Sequence, residues 1–146
     1  MPTELRHVVS IPAPPAAVFP YLVEPSQLVR WMGDRGRVEA VDGGAYELDI
    51  NGVLVRGHII ECRPPKRLVI AWGHRDSVEL PPGSSTVEIR LRESDDGGTL
   101  LEVVHSGLPT TQLDQHGTGW EHFLARLALA AAGDDPGPDP FAPTAG

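Results

Sequence analysis

Apolar and polar positions alternate along most of this chain, and a helical period takes over only near its end. Residues 5–11 (LRHVVSI) alternate imperfectly, as a strand packed on one face does, and Pro12, Pro14 and Pro15 end it. Val18, Phe19 and Leu22 then share one side, and Leu28, Trp31 and Met32 fall at helical spacing, each set following a proline suited to a first helical turn. Two short helices are predicted, over 15–22 and 24–32, the first bent by Pro20 and the second stopped by Gly33. From residue 37 onward strand-like segments follow at hairpin spacing, over 37–41, 45–50, 53–62, 68–72, 86–91 and 99–105. Alternation turns Tyr46, Leu48 and Ile50 inward on one of them and puts Leu101, Val103 and His105 on one face of the last. Asn51-Gly52 is the strongest turn signal, because both residue types tolerate the positive φ of a two-residue hairpin. Residues 73–84 contain Pro81, Pro82 and Gly83 without a sustained period, and read as a long, mobile loop.

The segment 119–132 (GWEHFLARLALAAA) carries the longest helical repeat. Trp120, Phe123, Leu124, Leu127, Ala128 and Ala131 recur at the spacing that lines up one stripe, and Gly133 before Asp134, Asp135 and Pro136 supplies the stop. A helix with two large aromatics on its buried stripe, after a run of strands, must lie against a sheet to hide them. Strand-helix-strand alternation is missing, so the pattern predicts an α+β fold: a curled antiparallel sheet of about seven strands, two short helices between strands 1 and 2, and a long C-terminal helix across the concave side. Residues 1–133 form one domain in this reading. Residues 134–146, rich in Pro, Gly and Asp, form a flexible tail with little to bury.

Composition narrows the function classes. A chain of 146 residues can bury a single core, and 40% apolar with 22% charged residues is a globular balance. The formal net charge of -8 opposes general attraction to nucleic acid or anionic lipid. Arg63, Lys66 and Arg67 cluster around a Pro-Pro turn and read as a solvated rim. Cys62 stands alone, so neither an intrachain disulfide nor a multi-cysteine metal site can form. No apolar run approaches the ~20 residues that span a bilayer, and the N-terminus lacks a signal-peptide pattern, so a cytoplasmic location is expected.

Candidate chemistry concentrates on the space between helix and sheet. Trp120, Phe123 and Leu127 look across it from the helix, and Tyr46, Leu48, Leu101 and Val103 face it from the strands. Trp31 and Trp72 suit a cavity mouth, since an indole joins an apolar body to an N–H that wants a partner. His105 is the one candidate for proton transfer, because alternation turns it inward and imidazole titrates near neutrality. No second catalytic group follows from the spacing. His116 and His122 lie on different helix faces and no HExxH pattern is present, so no metal is expected. Phosphate-loop, dinucleotide and nucleophile-elbow motifs do not occur, and no cofactor is expected.

Several segments together resemble a known family. The stretches IPAPPAAVFPYL, LVRWMG, GHIIECRPPKRLVIAW, LEVVHSGL and GTGWEHFLARLAL, with the Asp42-Gly43-Gly44 turn, are similar to the activator of heat-shock-protein-90 ATPase homologues, within the START-like, polyketide-cyclase and birch-pollen-allergen (SRPBCC) superfamily. The resemblance implies a helix-grip fold with a hydrophobic cavity between sheet and C-terminal helix. It also implies a protein that holds an apolar or aromatic, lipid- or polyketide-like molecule there. The alternatives it carries are a cyclase- or dehydratase-like enzyme using the same cavity and His105, and a co-chaperone-type interaction module. Eukaryotic co-chaperones of the family carry a further N-terminal domain, whereas this chain opens on its first strand, so a chaperone partner is not expected. Expected partners are a hydrophobic small molecule and no nucleic acid, with a homodimer left open.

Overall fold

The computed structural model describes residues 4–137. Strand β1 (Leu5–Ile11) leads into three single-turn helices, α1 (Pro15–Val18), α2 (Pro20–Val23) and α3 (Pro25–Leu28). Strands β2 (Arg35–Val38), β3 (Ala45–Ile50), β4 (Val53–Arg63), β5 (Arg67–Trp72), β6 (Ser85–Glu93) and β7 (Thr99–Ser106) follow, then a 3-10 turn (Thr110–Gln112) and the long helix α4 (Leu113–Ala131). The strands form one sheet in the order β1-β7-β6-β5-β4-β3-β2, and each neighbouring pair is antiparallel. Six strands therefore pair in chain order, and β1 closes the far edge beside β7. The sheet is curved, and a register shift between Ile59 and Glu61 puts an irregularity in its longest strand.

The α+β architecture and the seven strands are those the patterning predicts, and the departures have physical causes. The two predicted short helices are three, because Pro15, Pro20 and Pro25 each open a new turn. A proline has no N–H to give to the preceding helix, so a repeat of five residues yields single turns and not a continuous helix. Helix α4 begins at Leu113, six residues before the predicted start. Gly117 and Gly119 are poor helix formers that hid this first part, yet His116 and Trp120 are four apart on the buried stripe and extend it. At its other end Gly133, with φ +91°, lets Asp134 N–H reach the Leu129 carbonyl at 2.9 Å and closes the helix. Trp120, Phe123, Leu124, Leu127 and Ala130 are buried beneath α4, each large one contributing about 1.5–3 kcal/mol through lost water contact.

The segment 73–84, expected to be mobile, is anchored at several points. Leu80 is fully buried, and Ser77 Oγ accepts the Leu80 N–H at 2.9 Å. His74 N–H donates to the Leu80 carbonyl at 2.7 Å, and Glu79 accepts from Thr111 Oγ1 at 2.9 Å just ahead of α4. One buried leucine is enough to pin a polar loop whose average composition reads as free. At the far end of the chain, Arg126 donates to the carbonyls of Pro136 (3.2 Å) and Gly137 (3.0 Å), so the start of the expected tail is tied back to α4. The remainder of that tail, 138–146, lies outside the described residues.

Gly73 is where the anchored segment leaves β5, and a Cβ there would fall on the Pro81 carbonyl. Gly73→Ala is expected to force the segment off the sheet and lower stability by roughly 1–3 kcal/mol, read as a reduced urea midpoint. An unchanged midpoint would mean that the segment is not held in this close approach.

Candidate functional site

A cavity of about 570 Å³ lies between the N-terminal half of α4 and the β3–β4 hairpin, roofed by the start of the 73–84 segment. Its walls are Trp72 from the end of β5, Trp120 and Phe123 from α4, Met32 after α3, and Ile50, Val53 and Val55 around the Asn51-Gly52 turn. In that turn Asn51 (φ +49°) and Gly52 (φ +90°) both take positive φ, as the two-residue hairpin demands. Polar groups from α4 complete the rim: Asp114, Gln115, His116 and Thr118, with His74 opposite. At Gly119 a Cβ would meet nothing within 4 Å, so this face of the helix is bare toward open space.

The floor is a continuous aromatic group. The Trp72 ring lies 5.6 Å from Trp120, 6.1 Å from Tyr46 and 5.7 Å from the His105 imidazole, which it meets nearly perpendicularly. Offset and edge-on arrangements of this kind are the favoured ones for rings. His105 is completely buried and has both ring nitrogens engaged: Trp120 Nε1–H donates to Nδ1 at 3.0 Å, and Ser85 Oγ lies 2.8 Å from Nε2. Because Nδ1 accepts, the proton of the neutral ring sits on Nε2 and is donated to Ser85 Oγ. The Ser85 hydroxyl proton is in turn given to the Trp72 carbonyl at 2.7 Å. Every donor in this series of three hydrogen bonds has its acceptor. Burial, reinforced by the neighbouring His116 and His74, pushes the His105 pKa down to about 3.

This arrangement brings a serine and a histidine to hydrogen-bonding distance, the spacing of a nucleophile and its base, but with the proton running the opposite way. A general base would accept from the serine, whereas here the imidazole donates to it. His105 therefore acts as a structural linker between α4, β6 and β7 through Trp120, Ser85 and the Trp72 carbonyl.

Of the residues the sequence pointed to, Trp72, Trp120 and Phe123 line the cavity. Tyr46, Leu48, Leu101, Val103, His105 and Leu127 are buried behind its walls, and Trp31 is buried with its indole N–H given to the Tyr21 carbonyl at 2.8 Å. The polar members that the sequence did not mark as site residues are His74 and His116, the latter considered there only as a metal ligand. Their rings stack at 5.3 Å with planes 14° apart, and His105 meets His116 edge-on at 5.2 Å. His74 sits two residues beyond Trp72 in still-extended chain bridged to Val55, and His116 sits one helical turn before Trp120. Either periodicity, carried past the expected element boundary, marks them. Burial holds both pKa values below the ordinary histidine value; the charge of His116 adds to the effect at His74, and the Gln112 carbonyl partly opposes it at His116. Among the described residues no group of three or more His, Cys, Asp or Glu side chains is arranged to hold a metal ion, and no helix is long and apolar enough to cross a membrane.

A curved antiparallel sheet with a long C-terminal helix across it and short helices between the first two strands is the architecture of the START-like, SRPBCC proteins. Within them this chain belongs to the family described as activator of Hsp90 ATPase homolog 1-like protein, whose model matches residues 12–132. An AHSA1-like protein from Rhizobium etli is 42% identical, with 99% of this chain and 91% of that one covered and a TM-score of 0.75. CalU16 from Micromonospora echinospora is 32% identical over 92% of this chain and 69% of its own, with a TM-score of 0.76. DynU16, a protein of the dynemicin biosynthetic locus, shares the fold at a TM-score of 0.79 and 24% identity; the match covers 94% of this chain and spans half the length (50%) of DynU16. Among curated proteins none matches.

In the unfolded chain each of these histidines binds a proton as the pH falls through about 6.5, whereas the folded His105 stays neutral down to about 3. The corresponding stability is complete above pH 6.5 and is lost progressively as the pH falls toward 3. For His105 alone the loss amounts to about 2 kcal/mol between pH 6.5 and 5. Urea titrations across this range are expected to show that decline. His105→Asn is expected to cost roughly 1–3 kcal/mol at pH 7 and to flatten the pH dependence, leaving only the part due to His74 and His116. An equal pH dependence in both proteins would contradict a neutral, buried His105.

Proposed function

We propose that this protein binds an apolar, aromatic small molecule in the cavity between α4 and the β3–β5 strands. The observation that carries this reading is a contrast within one helix. Under its C-terminal half Leu124, Leu127 and Ala130 are closely packed, whereas beside Trp120 and Phe123 about 570 Å³ remains open. Ligand sites of small molecules fall in the same range of size, roughly 300–1,000 Å³, and combine mostly apolar walls with a few polar groups. Trp72, Trp120, Phe123 and Met32 offer flat and adaptable apolar surface, and bare Gly119 leaves room against the helix. Membership of the AHSA1-like family and the likeness to a protein of the dynemicin biosynthetic locus agree with small-molecule binding and name no ligand. The engagement of both His105 nitrogens favours binding over a catalytic reading that would use this residue.

Gly119→Leu tests the proposal with its own folding control. The new side chain fills the cavity from the helix, while replacing a mid-helix glycine favours the helix by roughly 0.5–1 kcal/mol. Native mass spectrometry of freshly purified wild-type protein is expected to show a small-molecule adduct, and stripped protein a saturable tryptophan-fluorescence change with naphthalene. Both signals are expected to vanish in an equally stable Gly119→Leu protein. A wild-type protein that shows neither signal, or a variant that keeps both, would overturn the reading.

A further inference from the structure

The cavity's polar groups bear on the chemistry of its occupant, an inference that rests on the binding role just proposed. His116 Nδ1 lies 3.0 Å from the Gln112 carbonyl oxygen, one turn earlier in the chain. A carbonyl only accepts, so Nδ1 carries a proton. Burial disfavours a second proton on this ring, which leaves Nε2 as a bare lone pair. The imidazole cannot turn easily to hide it. His74 covers one face at 5.3 Å in a nearly parallel stack, and His105 packs against it edge-on at 5.2 Å. Among the described residues His116 Nε2 makes no hydrogen bond, and His74 and His116 both line the cavity.

The indole N–H of Trp72 is buried with no hydrogen-bond partner and no surface open to the cavity, so the Trp72 ring lines the space while its donor does not face it. His116 Nε2 is thus an acceptor held in place beside the aromatic walls of Trp72, Trp120 and Phe123. No lysine or arginine lines the cavity, and Asp114 does. A carboxylate entering here would face an acidic side chain and neutral imidazoles, and would leave water without gaining a cation.

We propose that the ligand is a neutral aromatic hydroxyl compound, a phenol or enol, whose O–H donates to His116 Nε2, and that carboxylates of the same shape are rejected. A phenol, with a pKa of about 10 in water, enters uncharged at neutral pH. Its ring stacks among Trp72, Trp120 and Phe123, and its hydroxyl meets the lone pair that the Gln112 carbonyl has oriented.

Three probes of nearly equal shape separate these statements: 2-naphthol, 2-methoxynaphthalene and 2-naphthoate, titrated against the full-length chain by tryptophan fluorescence. With one neutral hydrogen bond at stake, 2-naphthol is expected to bind roughly five- to tenfold more tightly than 2-methoxynaphthalene, which cannot donate. The carboxylate is expected to bind most weakly. In His116→Phe, which keeps a ring against His74 and removes Nε2, the naphthol and methoxy affinities are expected to converge. In the wild-type chain the ¹⁵N resonance of His116 Nε2 is expected to move with 2-naphthol and to stay with the methoxy probe, a readout that needs no variant. Equal affinities for the two neutral probes, or an unmoved Nε2 resonance, would overturn the hydroxyl assignment and leave the cavity reading standing. Preferential binding of 2-naphthoate would do the same by pointing to an anion. Failure of all three to bind would bring down both.

Discussion

The hydrogen bond from Trp120 to His105 is the constraint on which the rest of the arrangement depends. It joins the middle of α4 to the last strand at a point sealed from water, where His105 is completely buried. Such a bond is strong in effect less through its own free energy than through the cost of leaving either partner unmade. With Nδ1 accepting from Trp120, the proton on Nε2 needs an acceptor of its own inside the core, and Ser85 Oγ and the Trp72 carbonyl complete the series. The helix is thereby held to β7, and through Ser85 to β6 and to the end of β5.

Fixing Trp120 and Trp72 in this way decides where side chains fill the concave face and where they do not. Toward the C-terminal end of α4, leucine and alanine side chains settle onto the sheet in an ordinary core. Toward the N-terminal end the helix carries Gly117 and Gly119 and the strands turn back at Asn51 and Gly52, so too little side-chain volume is present to close the gap. The 73–84 segment, anchored by Leu80 and by Glu79, closes one side without filling it. The open space is thus a consequence of composition at a few positions on a scaffold that is otherwise well packed.

Much of this architecture was legible in the chain. Alternation marked β3 and β6 and one face of β7, and positive-φ residues marked the β3–β4 turn, because both signals are local. The buried stripe of α4 was legible from Trp120 onward for the same reason. What stayed hidden depends on contacts between distant parts of the chain. The first six residues of α4 carry Gly117 and bury only His116, too little of an apolar stripe to announce a helix, and Leu80 pins a loop whose composition suggests freedom. His74 and His116 meet only because an extended segment and a helix turn converge, and neither position alone announces the other. The inward placement of His105 could be read from alternation, but its role required knowing which atom donates to which, and that is a property of three elements together.

His105 is a neutral, doubly engaged linker with its proton on Nε2. Heteronuclear NMR of the imidazole nitrogens measures this directly. The expected spectrum shows a protonated Nε2 coupled to its hydrogen and an unprotonated, hydrogen-bonded Nδ1, with both resonances unmoved between pH 8 and 5, far above the pKa of about 3. A proton on Nδ1, or a titration centred near the ordinary histidine value of 6.5, would contradict it.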